Sequence, residues 1–231
     1  MGEPSLSVIV PAYNEADSLR STINAVLAAL DNPSNVELVL VNDGSTDRTQ
    51  EVMEDIASSC TASVVIVDRR TNGGLGAALA SGFERATGDL LTWIPGDGEY
   101  ELAEVMQGAS LLDDHEIVLV RRTSRGQRGR NLLSSAMYLL IRILFGFDAH
   151  GYCGIFLVRR DDWTTLTISS RDVFFTLEVA IRARQAGWRA AYHQAEWQPR
   201  RSGRSKVFNV RTVLRNVIEL FAFRWRLWRH R

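Results

Sequence analysis

The sequence predicts an α/β fold, a largely parallel central sheet flanked by helices, and three observations carry that reading. Short β-branched runs alternate with stretches of 3.6-residue apolar periodicity through the first half. Polar segments rich in Gly, Asn and Asp follow those runs, where a strand turns into a helix. A length of 231 residues suits one such domain. With 45% hydrophobic and 23% charged residues, and only 5 Pro and 17 Gly, disordered, collagen-like and low-complexity classes are excluded.

The predicted strands of the first half are Leu6 to Val10, Val36 to Val41, Ser63 to Val67, Leu90 to Ile94 and Ile117 to Val120. Between the first two, Leu19, Ile23, Val26, Leu27 and Leu30 form one apolar helical stripe, and Asp31-Asn32-Pro33 stops it. After the second strand, Asn42-Asp43-Gly44-Ser45-Thr46-Asp47 is a turn leading into a helix whose buried face is Val52, Met53 and Ile56, with Ser45 or Thr46 as the expected N-cap. Asn72-Gly73-Gly74-Leu75-Gly76 follows the third strand and opens another helix. The second half reads as an apolar helix near Leu132 to Phe145, a strand near Ile155 to Val158, a helix near Phe174 to Ala186 and a long C-terminal helix from about Val207.

The zero formal charge hides an asymmetry. Residues 1–116 hold 20 Asp and Glu against 5 Arg, a balance of −15, whereas residues 117–231 hold 7 against 22 cations, a balance of +15. All of the cations except Lys206 are Arg, whose forked donors match phosphate. An anionic ligand is therefore expected at the second half. Cys60 and Cys153 lie in apolar stretches without metal-ligand spacing and are expected as buried thiols. The N-terminus MGEPSLSVIVP lacks a basic segment and a long apolar run, which predicts a cytoplasmic protein without a cleaved signal. The longest apolar stretch, Leu132 to Phe147, is interrupted by Arg142.

Ligands of open α/β sheets sit beyond the carboxyl ends of the strands. Four polar segments lie there: Pro11-Ala12-Tyr13-Asn14-Glu15, Asn42-Asp43-Gly44-Ser45, Asp68 to Gly74, and Gly96-Asp97-Gly98-Glu99. Each alone reads as a turn before a helix, and Asp43 alone as an Asx-turn; four on one rim indicate a site. The glycines at 73, 74 and 76 do not make a dinucleotide fingerprint, because that motif belongs to the first strand-to-helix turn. His115, His150, His193 and His230 show no catalytic or metal-binding spacing, and nucleic-acid-binding signatures are absent.

The segments S-V-I-V-P-A-Y-N-E, V-N-D-G-S-T-D and N-G-G-L-G-A-A-L-A-S-G, in that order, resemble the family 2 glycosyltransferases, the nucleotide-sugar-dependent inverting enzymes with the GT-A fold. The likeness runs from Ser7 to about Lys206 and is greatest to the polyprenyl-phosphate sugar transferases of the dolichyl-phosphate mannose synthase type. It implies a transferase domain over residues 1–206, with residues 207–231 as a basic amphipathic helix. It implies that Pro11, Ala12, Tyr13, Glu15, Asp43, Asp68, Gly74 and Asp97 bind the donor. R-x-x-G-x-S-K, here Arg200 to Lys206, and the Arg130/Ser134 pair imply phosphate binding by Arg130, Ser134, Arg200, Ser205 and Lys206. Asp97, Arg130 and Arg200 are then the catalytic set.

The family's D-x-D-x-Q falls on Pro95-Gly96-Asp97-Gly98-Glu99, so Pro95 replaces the first acidic residue and Glu99 the Gln. A divalent metal, Mg²⁺ or Mn²⁺, is expected on Asp97 and Glu99, assisted by the donor diphosphate. The implied reaction moves a sugar from a nucleoside diphosphate to a polyprenyl phosphate, an acceptor that is already an anion and needs no general base. The alternatives are transfer to a hydroxyl, with Glu178 or Asp172 as base, and a non-catalytic nucleotide-sugar-binding scaffold. From Val207 to Trp228 the apolar residues fall on one half of a helix and Arg211, Arg215, Arg226 and Arg229 on the other. That pattern suits either an anionic membrane surface or packing on the core or a partner.

Overall fold

The computed structural model describes residues 5–30, 32–123, 131–196 and 210–229, and for residues 131–134, 210–216 and Trp228 the backbone alone. The central sheet has seven strands: β1 (Leu6–Ala12), β2 (Val36–Asp43), β3 (Ser63–Arg69), β4 (Leu90–Trp93), β5 (Ile117–Thr123), β6 (Tyr152–Arg159) and β7 (Ala190–Glu196), in the order β3-β2-β1-β4-β6-β5-β7. β1 pairs parallel with β2 and β4, β2 with β3, and β5 with β7; β6 runs antiparallel between β4 and β5. The helices are α1 (Leu19–Ala28), α2 (Thr49–Ser59), α3 (Leu75–Phe83), α4 (Leu102–Met106), α5 (Asn131–Phe145), α6 (Arg160–Thr165), α7 (Phe175–Gln185) and α8 (Val210–Arg229).

The central strands form where the sequence is apolar on both faces. Val8, Ile9 and Val10 of β1 and Leu38, Val39, Leu40 and Val41 of β2 are fully buried, as expected for parallel strands covered on both sides. Leu19, Ile23 and Val26 of α1 and Met53 and Ile56 of α2 supply the covering faces. Phe83 of α3, Phe156 of β6, Trp163 of α6 and Phe175 of α7 form a second cluster, with Phe83 and Trp163 ring centroids 4.6 Å apart. Each such aromatic pair adds about 0.5–1.5 kcal/mol beyond its buried area.

Three local expectations change. The N-cap of α2 is Arg48, without a side-chain capping bond, because Ser45 and Thr46 are engaged by Asn14 of the preceding strand's loop; Asp47 accepts from the Thr49 N–H instead. α1 ends at Ala28, and Leu30 lies beyond it. Cys60 and Cys153 are free thiols, half-buried rather than buried.

The described chain forms two units, one of residues 5–123 and 151–196 and one of residues 131–150 and 210–229. In the second unit α5 and α8 touch through Phe145 and Phe223, whose centroids are 5.4 Å apart. The apolar half of α8 resolves into two stripes. Leu220, Phe223 and Leu227 are buried, whereas Ile218, Phe221 and Trp225 are 70%, 50% and 55% exposed. Leu139 and Ile143 of α5 are also exposed. Among the described residues no helix is long and apolar enough to cross a membrane.

Candidate active site

β1 to β5 and β7 all point the same way, so their carboxyl ends make one rim. The loops after β1 and β2 are knitted together there. Asn14 N–H donates to Ser45 Oγ (3.0 Å), Thr46 N–H to Asn14 Oδ1 (2.8 Å), Glu15 N–H to Thr49 Oγ1 (2.9 Å) and Ala16 N–H to Asp47 Oδ2 (3.3 Å). Asn14 adopts φ +55°, a left-handed conformation that Asn tolerates better than most residues. Burial pushes the Asp47 carboxyl up, but the hydrogen bonds from Thr49 and Ala16 outweigh it and hold Asp47 below its ordinary value.

The loop after β3 is fastened to the loop after β2. Asp43 is 3% exposed, and its oxygens accept from Gly73 N–H (3.0 Å) and Gly74 N–H (2.8 Å), with Arg69 Nε at 3.2 Å. The side chain that bonds forward within this loop is that of Asn42, whose Oδ1 accepts from Ser45 N–H three residues on, while its Nδ2 donates to Asp68 Oδ1 (2.8 Å).

The loop after β4 carries Asp97 and Glu99. Gly96 is fixed from both sides: its N–H donates to Pro11 O, and its carbonyl accepts from Ser18 Oγ and Thr22 Oγ1. The N–H groups of residues 94 and 96 face β1, so the missing N–H of Pro95 falls on the side of β6. There the Gly154 carbonyl accepts instead from Trp93 Nε1 (3.0 Å) and Tyr152 Oη (3.3 Å). Asp97 is 8% exposed and Glu99 half-buried, and Asp97 Oδ1 accepts from Glu99 N–H. A hard divalent ion is often held by one or two carboxylates and completes its shell with phosphate and water; Asp97 and Glu99 are two carboxylate residues of this loop. Among the described residues no group of three His, Cys, Asp or Glu could hold a metal unaided. Any metal on this loop would therefore need ligands beyond those residues, such as a diphosphate.

Two of the segments expected to grip phosphates leave from this rim. The register of β5 on β7 sets Arg121 beside Gln194 and Thr123 beside Glu196, so the chain leading to Arg130 and the chain leading to Arg200 depart from neighbouring points. Thr123 Oγ1 donates to Ala195 O across that pair of strand ends. Arg130, Arg200, Ser205 and Lys206 lie outside the described residues; Ser134 is in the first turns of α5, with its side chain outside the description.

Arg121 and Arg122 also stand at the end of β5, half-buried, and motif reading missed them. The available signal was the abrupt change from Ile117-Val118-Leu119-Val120 to two arginines at a strand's carboxyl end. Arg121 lies 3.8 Å over the ring of Tyr192. Tyr100 and Tyr152 border the same place, and burial pushes both phenols well above their usual value.

The proposed hydroxyl-activating bases are otherwise engaged. Glu178 is fully buried and accepts from Ser169 N–H and Oγ and from Ser170 N–H, with Arg182 Nε at 3.3 Å. Asp172 Oδ1 accepts from Phe174 N–H at the start of α7.

Comparison with known proteins identifies the fold and the family. AglD of Haloferax volcanii is 26% identical over 96% of this chain, which spans 37% of that protein. The dolichyl-phosphate beta-glucosyltransferase ALG5A of Trichomonas vaginalis is 25% identical over 94% of this chain, which spans 73% of it. Among solved structures, the glucosyl-3-phosphoglycerate synthase of Mycobacterium tuberculosis, in complex with Mn²⁺, UDP and glucosyl-3-phosphoglycerate, superposes with a TM-score of 0.68. That likeness covers 96% of this chain and 80% of the other at 21% identity, and it shows the fold, a GT-A fold. The sequence profile of glycosyl transferase family 2 matches residues 7–176, and the chain belongs to that family.

Proposed function

We propose that the chain transfers a sugar from a nucleoside diphosphate to a polyprenyl phosphate at a membrane surface, with inversion at the anomeric carbon. The observation that carries this reading is the rim itself: acidic, hydrogen-bonded loops on β1 to β4 beside the neighbouring departure points of two arginine-bearing segments on β5 and β7. ALG5A, named as a dolichyl-phosphate glucosyltransferase, supports the acceptor class.

The chemistry asks for a phosphate oxygen of the acceptor aligned behind the anomeric carbon and for stabilised charge on the departing diphosphate. Tyr13 and Glu15 border the nucleoside, Pro11 and Ala12 lie beneath them, and Asp68 and Gly74 flank the donor. Arg130, Ser134, Arg200, Ser205 and Lys206 hold the acceptor and leaving phosphates, the arginines by two parallel N–H···O bonds each. Asp97 and Glu99 would hold a Mg²⁺ or Mn²⁺ together with the diphosphate, and the ion would add Lewis-acid stabilisation of the leaving group. A phosphate acceptor is already deprotonated, which agrees with the structural use of Glu178 and Asp172.

The membrane contact is assigned to the exposed stripe Ile218, Phe221 and Trp225 of α8, with Arg226 and Arg229 exposed beside it. Apolar and aromatic residues flanked by arginines suit the headgroup boundary of an anionic leaflet.

The test is incubation with radiolabelled UDP- and GDP-sugars and a short polyprenyl phosphate. Label should pass into organic solvent as an inverted glycosyl phospholipid. A water-soluble product would point to a hydroxyl acceptor, and no turnover with any donor to a scaffold.

A further inference from the structure

We infer that Asp43 and Arg69 form a latch that positions the donor-facing loop 71–74, and that Asp43 does not itself read the nucleoside. The inference rests on the reading of the rim as a nucleotide site. An ionised carboxylate offers about four acceptor positions. On Asp43, Gly73 N–H, Gly74 N–H and Arg69 Nε already occupy three directions. With the residue only 3% exposed, the remaining position is nearly closed to solvent, so a base edge or ribose hydroxyl gains full access to this carboxylate by displacing one of those partners. Displacement would leave a backbone N–H or a guanidinium without its acceptor, which opposes binding there.

The surroundings are built for the latch. Arg69 is held from the far side by Ser81 of α3, 3.4 Å from Nη1 to Oγ. Gly73 has no side chain where one would collide with Arg69, since a Cβ there would stand 2.3 Å from Nη2. Gly44, at φ +69°, lets the end of β2 come so close that a Cβ would lie 2.6 Å from Asn72 N. Gly74, at φ +80°, is the N-cap of α3, so the latch also fixes where α3 begins. Asp43 is thus a positioning residue: it sets the wall against which a donor sits and touches that donor through the loop.

A direct reader and a latch differ in base selectivity. UDP and GDP binding should be titrated for the intact chain and for Asp43→Asn, Arg69→Gln, Gly73→Ala and the Asp43→Asn/Arg69→Gln double variant. A latch predicts that Asp43→Asn and Arg69→Gln each weaken both nucleotides by a similar factor, about tenfold for a lost charged hydrogen bond, and that Gly73→Ala, which keeps its N–H and crowds Arg69, weakens both by less. It also predicts that the double variant is no worse than the weaker single, because both break one device. A change in the UDP-to-GDP ratio confined to Asp43→Asn, with Arg69→Gln binding normally, would overturn the latch and make Asp43 the reader. Amide exchange of the ligand-free proteins gives an independent measure: protection of Gly73 and Gly74 should fall in Arg69→Gln while the β1 and β2 amides keep theirs. Unchanged protection would overturn the latch. If the intact chain binds neither nucleotide, the nucleotide reading fails, and exchange alone decides whether the latch exists.

Discussion

The two sides of the sheet prepare the same rim by different means. On the side of β3, β2, β1 and β4, loops are fixed to one another by side chain to backbone hydrogen bonds: Asn14 and Asp47 join the first two loops, Asp43 joins the second and third, and Ser18 and Thr22 hold Gly96. On the side of β5 and β7 the rim is marked by charge: Arg121 and Arg122 close β5, and arginine-rich segments follow both strands. A nucleoside is recognised by fixed directions, whereas several phosphate anions need cations in number. The first side therefore suits nucleoside recognition and the second charge neutralisation.

The strongest way to break that division is to remove charge where it should matter most. Asp97→Ala, Arg130→Ala and Arg200→Ala are each expected to lower turnover about 100- to 1,000-fold, the usual cost of deleting a group that stabilises transition-state charge. Nucleoside diphosphate affinity should fall far less for Arg130→Ala if that side chain faces the acceptor. Arg→Lys should recover only part of the loss, because an ammonium cannot make the paired contact. Steady-state kinetics decides, and full recovery with Lys would reduce the second side to a diffuse field.

Glu178, on α7, tests whether a buried carboxylate of the arginine-rich half of the sequence serves structure. Burial pushes its carboxyl up, yet the hydrogen bonds from Ser170 and Ser169 hold it below the ordinary glutamate value. Its contribution is therefore complete above the unfolded-state pKa and is lost as pH falls through the lower folded value. Glu178→Gln should cost about 2 kcal/mol of stability at neutral pH, typical of a hydrogen bond to a charged group. The penalty should shrink only below the ordinary glutamate range, as pH falls through the lowered folded value and the native side chain loses its charge too. Denaturant melts at pH 7 and through the acid range below the ordinary glutamate value check this, and a variant of normal stability but no turnover would return Glu178 to the chemistry.

The same contrast explains what could be read from the sequence. β1, β2 and their helices were legible because double-sided burial leaves unbroken runs such as Val8-Ile9-Val10. β7 was not: Ala190-Ala191-Tyr192-His193-Gln194-Ala195-Glu196 places only Ala191 and Ala195 in the core, and its pairing with β5 comes from 73 residues away. The reversal of β6 has no local signature either. At the site, motif order located the rim, but the partners of Asp43 arrive from a loop thirty residues later, and those of Ser45 and Thr46 from an earlier one. A carboxylate or hydroxyl looks the same in sequence whether it meets a ligand, a helix end or a neighbouring loop.

A smaller effect concerns how the arginine-rich half reaches its acceptor. Replacing Phe221 and Trp225, both exposed, by Ser should lower recovery on anionic vesicles about tenfold, since each loses apolar area that would enter the headgroup boundary. Phe223→Ser is the control, because Phe223 packs on Phe145 and its loss should lower stability. Equal vesicle binding by the intact chain and the Phe221/Trp225 variant would assign that stripe to a protein partner.

The smallest expected effect is at Asn14, where the hydrogen-bonded side of the rim can be taken apart into backbone and side chain. Asn14 contributes a left-handed φ of +55° and an Oδ1 that accepts from Thr46 N–H. Asn14→Gly removes the acceptor but keeps the conformation accessible, so it reports the hydrogen bond at an exposed position, about 0.5–1 kcal/mol. Asn14→Ala removes the acceptor and adds the cost of a Cβ in the left-handed region, about a further 1 kcal/mol. Chemical denaturation should therefore rank the native chain above Gly and Gly above Ala, with unchanged m-values. If stability alone is at stake, donor KM stays constant at temperatures where all three are folded. A KM that rises in the order native, Gly, Ala would show that this loop holds Tyr13 and Glu15 in place for the nucleoside. An Ala variant as stable as Gly would mean that the loop relaxes out of the left-handed conformation, and the first side of the rim would then be less rigid than its hydrogen bonds indicate.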